Sequence, residues 1–219
     1  MRFRFFSVCS LLIISISCFA KEQENHESKV LLDFINKNLP GFYQTIPNNR
    51  SIKNGNNFTL STIIVPLKKD DVGYNLFYLE EFKDNNPKMV VRRRIYSFWI
   101  ENDKVKLKLF NPRKELKFPP LDLNYQNGIP FRLDFIKSLS SEDFYADRDV
   151  CILHINKFMK KVVARMGTHK CNREETWIDY ELIIGKDGMW TCFARRNIKD
   201  DSLFWLQSPD APCLWQLRN

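Results

Sequence analysis

The stretch Lys104-Val105-Lys106-Leu107-Lys108-Leu109 alternates charged and apolar residues without a break. Successive side chains of an extended chain point to opposite faces, so the lysines share a wet face while Val105, Leu107 and Leu109 share a buried one. The pattern is that of a sheet with a single interior. Immediately upstream, Lys88 to Ile100 is rich in β-branched and aromatic residues, and Glu101-Asn102-Asp103 supplies the turn between the two runs.

Further runs of the same kind lie on both sides. Phe58 to Leu67 and Tyr74 to Phe82 come before, separated by the turn-forming clusters Lys69-Asp70-Asp71-Val72-Gly73 and Lys83-Asp84-Asn85-Asn86-Pro87. Val150 to Phe158, Lys160 to Met166, Thr176 to Ile184, Met189 to Arg195, Leu203 to Gln207 and Cys213 to Leu217 come after, with Gly185-Lys186-Asp187-Gly188 joining the middle pair. Near the start, Ser28 can cap a short helix whose Val30, Leu31, Phe34, Ile35 and Leu39 fall on one stripe, and Pro40-Gly41 ends it. Arg113 to Asp149 is the least regular part, with Pro119-Pro120, Asn127-Gly128 and a short helix from Phe131 to Leu139. A connection of that length is a candidate lid or interface. About ten strands with short turns and one short N-terminal helix predict an all-β fold, an antiparallel barrel, because closure removes exposed strand edges. A barrel of that size can hold one small ligand.

The chain has 219 residues, 44% hydrophobic and 14% aromatic, with only 7 glycines. These values suit one globular domain with a substantial core and exclude a disordered or collagen-like chain. Arg2 and Arg4, the apolar run Phe5 to Ile16, and Cys18-Phe19-Ala20 ahead of Lys21-Glu22-Gln23-Glu24 form a signal-peptide pattern. The apolar run is too short for a membrane-spanning helix, which needs about 20 residues. The expected organisation is a signal peptide over residues 1–20, then a single barrel domain over 21–219 that is secreted, periplasmic or lumenal and has no transmembrane segment. Loss of the two arginines lowers the formal charge from +8 to +6. That charge favours acidic partners in general. The scattered basic residues and the exported address argue against nucleic acid.

Export also leaves four cysteines, Cys151, Cys171, Cys192 and Cys213. In an oxidising compartment they predict two disulfides, and spacing alone does not choose among the three connectivities. Cys151 and Cys171 lie on strands that a hairpin could bring together, and Cys192 and Cys213 could close the C-terminal strands. Asn49-Arg50-Ser51 and Asn57-Phe58-Thr59 are N-glycosylation acceptors in a eukaryotic source.

There is no phosphate-cradling glycine loop and no nucleophile elbow, and His26, His154 and His169 lack metal-ligand spacing. The informative segment is Val91-Arg92-Arg93-Arg94-Ile95-Tyr96-Ser97-Phe98-Trp99, preceded by Tyr78-Leu79-Glu80-Glu81. In a strand Arg92, Arg94, Tyr96 and Phe98 share one face; Arg93, Ile95, Ser97 and Trp99 share the other. An arginine on the interior face needs a partner, either Glu80 or Glu81 from the neighbouring strand or an acidic ligand. The alternative is a solvated cross-strand ion pair.

Pro40-Gly41-Phe42-Tyr43-Gln44, Leu76-Phe77-Tyr78-Leu79-Glu80-Glu81, Arg92-Arg93-Arg94-Ile95-Tyr96, and Cys151 followed by Cys171 resemble, in that order, the landmarks of the CpcT/CpeT family of phycobiliprotein chromophore lyases. The resemblance implies a lipocalin-like up-and-down barrel, often paired as a homodimer, that binds an open-chain tetrapyrrole, a bilin, and requires no other cofactor. It further implies that the bilin is presented to a phycobiliprotein acceptor, whose cysteine thiol adds to the pigment to form a thioether. By matched position, Tyr78, Glu80, Arg92, Arg94 and Tyr96 become pocket candidates, with the arginines meeting the bilin propionates. Trp177, Trp190 and Trp215 read as core, while Trp205 falls near the family's C-terminal tryptophan region and joins the pocket candidates. Arg93 and Glu81 both stand where the family usually has Gln, and Val150 stands where it commonly has Gly. A charge pair between Glu81 and Arg93 would account for the first two departures together. Without ligation chemistry, the same barrel reads as an exported carrier of another acidic amphipathic ligand.

Overall fold

A computed structural model describes residues 26–45, 59–67, 75–84, 86, 88–119, 133–146, 151–206 and 213–218. The expected signal peptide and both glycosylation acceptors, Asn49 and Asn57, lie outside the described residues.

Helix α1 (26–38) comes first. The strands that follow are β1 (Gly41–Thr45), β2 (Leu60–Pro66), β3 (Asn75–Lys83), β4 (Val90–Glu101) and β5 (Lys104–Pro112). Helix α2 (Leu133–Ser138) and a single 3-10 turn (Ser141–Asp143) lie between β5 and β6 (Phe144–Ala146). The chain continues through β7 (Ile152–Phe158), β8 (Lys161–Met166), β9 (Asn172–Arg173), β10 (Thr176–Ile184), β11 (Gly188–Asn197), β12 (Leu203–Leu206) and β13 (Cys213–Arg218).

Every pairing is antiparallel, and ten strands close in the order β1-β2-β3-β4-β5-β7-β8-β10-β11-β13 and back to β1. The expected all-β barrel with one short N-terminal helix is present. The strands β6, β9 and β12 extend it at one end: each pairs with the part of a neighbour's edge that the ring strand leaves free. Residues 41–45, which belong to none of the expected strands, are a stave of the barrel. Strand β1 pairs with β2 on one side and β13 on the other, and so closes the ring.

The two ends of the barrel differ. At one end lie tight connections: Asn102 and Asp103, both with positive φ, make the two-residue turn from β4 to β5, and Phe158 faces Lys161 across the turn from β7 to β8. Helix α1 covers this end, and its Ile35, with Leu39 just past its C-terminus, packs into the interior cluster of Phe77, Phe98, Val105, Leu107, Ile155, Val162 and Ile184. Ser28 does not act as the expected cap, because the helix already spans residues 26 and 27. Its hydroxyl donates instead to the Asp103 carbonyl and ties the helix to the β4–β5 turn. At the helix C-terminus the Tyr43 hydroxyl lies 2.7 Å from the Leu39 carbonyl and 2.9 Å from that of Asn38, so β1 satisfies acceptors that the last turn leaves open. The opposite end carries the long connections and the three short added strands, and is the mouth.

Both disulfides are present. Cys192 and Cys213 are directly paired across β11 and β13, and so fasten the seam where the C-terminal strand enters the ring. Cys151 and Cys171 fasten the start of β7 to the turn after β8 at the mouth. Gly188 opens β11 where only glycine fits, since a Cβ there would come 2.2 Å from the Gln216 carbonyl and 2.8 Å from the Trp215 ring. That close approach lets Trp190 and Trp215 stack at 3.5 Å on the neighbouring strands.

Candidate functional site

The register of β3 against β4 decides which arginines face inward. Glu81 faces Arg92, Leu79 faces Arg94 and Phe77 faces Tyr96, while Glu80 faces Arg93 and Tyr78 faces Ile95. Phe77, Leu79, Tyr96 and Phe98 belong to the interior cluster, so Glu81, Arg92 and Arg94 lie on the interior face. The expected pair between Glu81 and Arg93 does not form. Glu81 meets Arg92 Nε at 3.3 Å and Arg93 meets Glu80 at 3.3 Å, because adjacent residues of a strand face opposite sides and direct cross-strand partners share a side.

The six pocket candidates therefore divide. Arg92, Arg94 and Tyr96 come together inside the barrel. Tyr78 and Glu80 lie on its outer surface, where the Tyr78 hydroxyl donates to Glu80 at 2.6 Å and the Arg93 guanidinium lies 4.0 Å from the Phe118 ring centre. Tyr78, Ile95, Ile136 and Phe144 form a second apolar cluster there, joined by Phe118 and Leu139. The Tyr-x-Glu half of the sequence landmark thus anchors the described part of the long excursion to the outer wall of β3 and β4. Trp205, 45% exposed, sits on β12 at the mouth and meets Phe193 edge-on at 5.5 Å.

Inside the mouth end, charge and aromatic rings are interleaved. The Tyr96 and Tyr180 hydroxyls are 2.9 Å apart across the interior, and the Arg92 guanidinium lies 5.9 Å from the Phe193 ring centre. Glu81 is only 2% exposed. Burial lifts its carboxyl above the usual range, and Arg92 and Arg94 offset only part of that rise. Burial likewise raises both tyrosines, and each of the pair also feels the other. Around this group Arg94 Nε, Thr191 Oγ1 and Gln216 Oε1 are buried without a hydrogen-bond partner among the described residues.

A cavity of about 80 Å³ opens beside the cluster, lined by Arg94, Arg173, Arg195, Tyr180 and Phe193 together with the Cys151–Cys171 bridge. Among the described residues, three arginines and no carboxylate line it. Arg173, Tyr180, Phe193 and Arg195 escaped sequence reading as site residues. The usable signal was the alternation Ile178-Tyr180-Leu182 on β10 and Met189-Thr191-Phe193-Arg195 on β11, which marks an inward face turning polar toward the mouth. Toward the opposite end, the described interior residues form one continuous apolar cluster.

No protein-family model matches the chain, and no curated protein matches it. Among solved structures, it is similar to one described as the selenomethionine CRL protein of Arabidopsis, with 13% sequence identity and a TM-score of 0.55 over 89% of this chain and 98% of that one. At that identity the likeness shows a shared fold.

Proposed function

We propose that the protein binds an acidic, conjugated small molecule at the barrel mouth, with an open-chain tetrapyrrole as the ligand that the sequence resemblance favours. The observation that carries this reading is the cavity where Arg94, Arg173 and Arg195 converge beside Tyr180 and Phe193. A guanidinium fork matches a carboxylate with two parallel hydrogen bonds, and aromatic rings offer flat contact to a conjugated body. At about 80 Å³ the cavity is well below the 300–1,000 Å³ usual for whole small-molecule sites. It suits an acid group such as a propionate, with the remainder of the ligand across the mouth beside Trp205.

If the resemblance extends to activity, the protein is a bilin lyase that positions the pigment while a cysteine of an acceptor phycobiliprotein adds to it. All four cysteines within residues 151–213 are in disulfides, so the thiol of that thioether belongs to the acceptor. The second reading, an exported carrier of another acidic amphipathic ligand, uses the same arginines and needs no acceptor.

The test is titration of phycocyanobilin and biliverdin into the purified chain, read by bilin absorbance and tryptophan quenching, beside Arg94→Ala with Arg195→Ala. Saturable binding that the double variant loses supports the site, and transfer to an acceptor cysteine then separates lyase from carrier. Binding that ignores both arginines removes the proposal.

A further inference from the structure

The end of the barrel opposite the arginine cavity carries a second concave surface, of about 830 Å³, between helix α1 and the β4–β5 and β7–β8 turns. Val30, Leu31, Phe34, Val105, Ile155 and Val162 line its apolar floor. Among the described residues, Lys104, Lys157, Lys160, Lys161 and Lys186 stand around it, with Glu27 and Asp103 of opposite sign. Beside the groove, the β7–β8 turn presents Phe158 and Met159 to solvent at 62% and 80% exposure. Their neighbours in the chain are Lys157, Lys160 and Lys161.

Three features of this turn are independent of one another. Two large apolar side chains at the tip of a hairpin gain nothing from water, and folding leaves them there instead of burying them. Met159 also holds φ at 54°, a left-handed conformation that costs an unbranched residue about 1 kcal/mol and is ordinarily given to Gly or Asn. The lysines flank the apolar tip on both sides, the order in which a bilayer meets a protein: hydrocarbon beneath, anionic headgroups around.

We infer that this end of the barrel docks on the surface of an anionic bilayer, with Phe158 and Met159 entering the interfacial region and Lys157, Lys160 and Lys186 meeting lipid phosphates. The inference does not depend on the ligand of the arginine cavity. Docking at this end leaves the mouth facing away from the membrane, open to a ligand or partner.

The test places a genetically encoded environment-sensitive fluorophore at position 159 of the full chain and adds phosphatidylcholine vesicles, with and without about 30% phosphatidylglycerol. The expected result is a blue shift with the anionic vesicles that phosphatidylcholine alone does not give and raised salt reverses. In co-sedimentation, Lys157→Ala with Lys160→Ala is expected to lower partition about 30-fold, and Phe158→Ser to lower it as well. Both variants alter exposed side chains, and unchanged thermal melts show that the barrel is intact. A probe that stays at its aqueous emission while the chain sediments with vesicles overturns the inference, since another segment then makes the contact. So does a blue shift that grows with protein concentration in the absence of lipid, which assigns the surface to a second copy of the chain.

Discussion

Tyr96 on β4 and Tyr180 on β10 reach across the barrel until their hydroxyls are 2.9 Å apart, joining two staves that are not neighbours in the sheet. The pair marks the boundary between the packed apolar half of the interior and the charged half beneath the mouth. It also places Arg92 and Arg94 on the mouth side of that boundary.

Tyr180→Phe leaves the Tyr96 hydroxyl buried with one partner fewer and is expected to lower stability by about 1–2 kcal/mol. The double variant Tyr96→Phe, Tyr180→Phe should lose less than the sum of the single losses. A double-mutant cycle from urea unfolding measures this; strict additivity means the hydroxyls do not interact.

Alkaline pH should unfold the protein through its buried tyrosines. Burial pushes Tyr43 up to about 12, only partly offset by Arg218, and raises Tyr96 and Tyr180 as well. Between the ordinary value near 10 and the raised one, the folded state holds protons that the unfolded chain has released, so stability falls as pH rises through that window. Tyrosinate absorbance should therefore appear together with loss of the sheet signal, and Tyr43→Phe should make the decline shallower.

Glu81 and Arg92 differ from the surface pairs in what their removal leaves behind. Glu81→Ala strands Arg92 in the interior and is expected to cost about 3–5 kcal/mol, whereas Arg165→Ala, at the exposed Arg165–Glu181 pair, is expected to change stability by about 1 kcal/mol or less. The raised pKa of Glu81 carries its own sign: its contribution favours the folded state below the ordinary carboxylate value and fades as pH rises through the elevated one. Comparing urea midpoints across mildly acid pH for the protein and Glu81→Gln isolates that component.

Removing the Cys192–Cys213 bridge by Cys192→Ala with Cys213→Ala is expected to cost about 2–4 kcal/mol. Hydrogen exchange should then quicken first in β13 and β11, the strands that the bridge joins. Uniformly faster exchange throughout the barrel would show that the bridge acts on the unfolded chain alone.

Much of the wall was legible in local pattern. Lys104 to Leu109 alternates because β5 has water on one side and the core on the other, and Val105 and Leu107 are buried as that alternation requires. The C-terminal strands follow from equally local signals, and the four cysteines predict two bridges, but which cysteine meets which is decided by the fold. Strand β1 was not legible, because Gly41-Phe42-Tyr43-Gln44-Thr45 is short and begins at the residues that end a helix. It is a strand because β2 and β13 offer it two edges.

The pocket candidates show the same division. Sequence spacing states that Arg92, Arg94 and Tyr96 share a face and that Tyr78 and Glu80 share one on their own strand. It does not state that the two faces lie on opposite sides of the wall. Register fixes that, and one residue of slip exchanges every side chain between core and surface. Arg173 and Arg195 are far from Arg94 in the chain, and only closure of the ring brings the three to one cavity.

The sequence by itself determined most of the strands, the N-terminal helix and the kind of interior, because period and turn chemistry act between near neighbours. Only the tertiary structure decided which arginine is buried with Glu81, which is held outside by Glu80, and which meet at the mouth. Those are outcomes of strand register and barrel closure, interactions between residues that no local pattern relates.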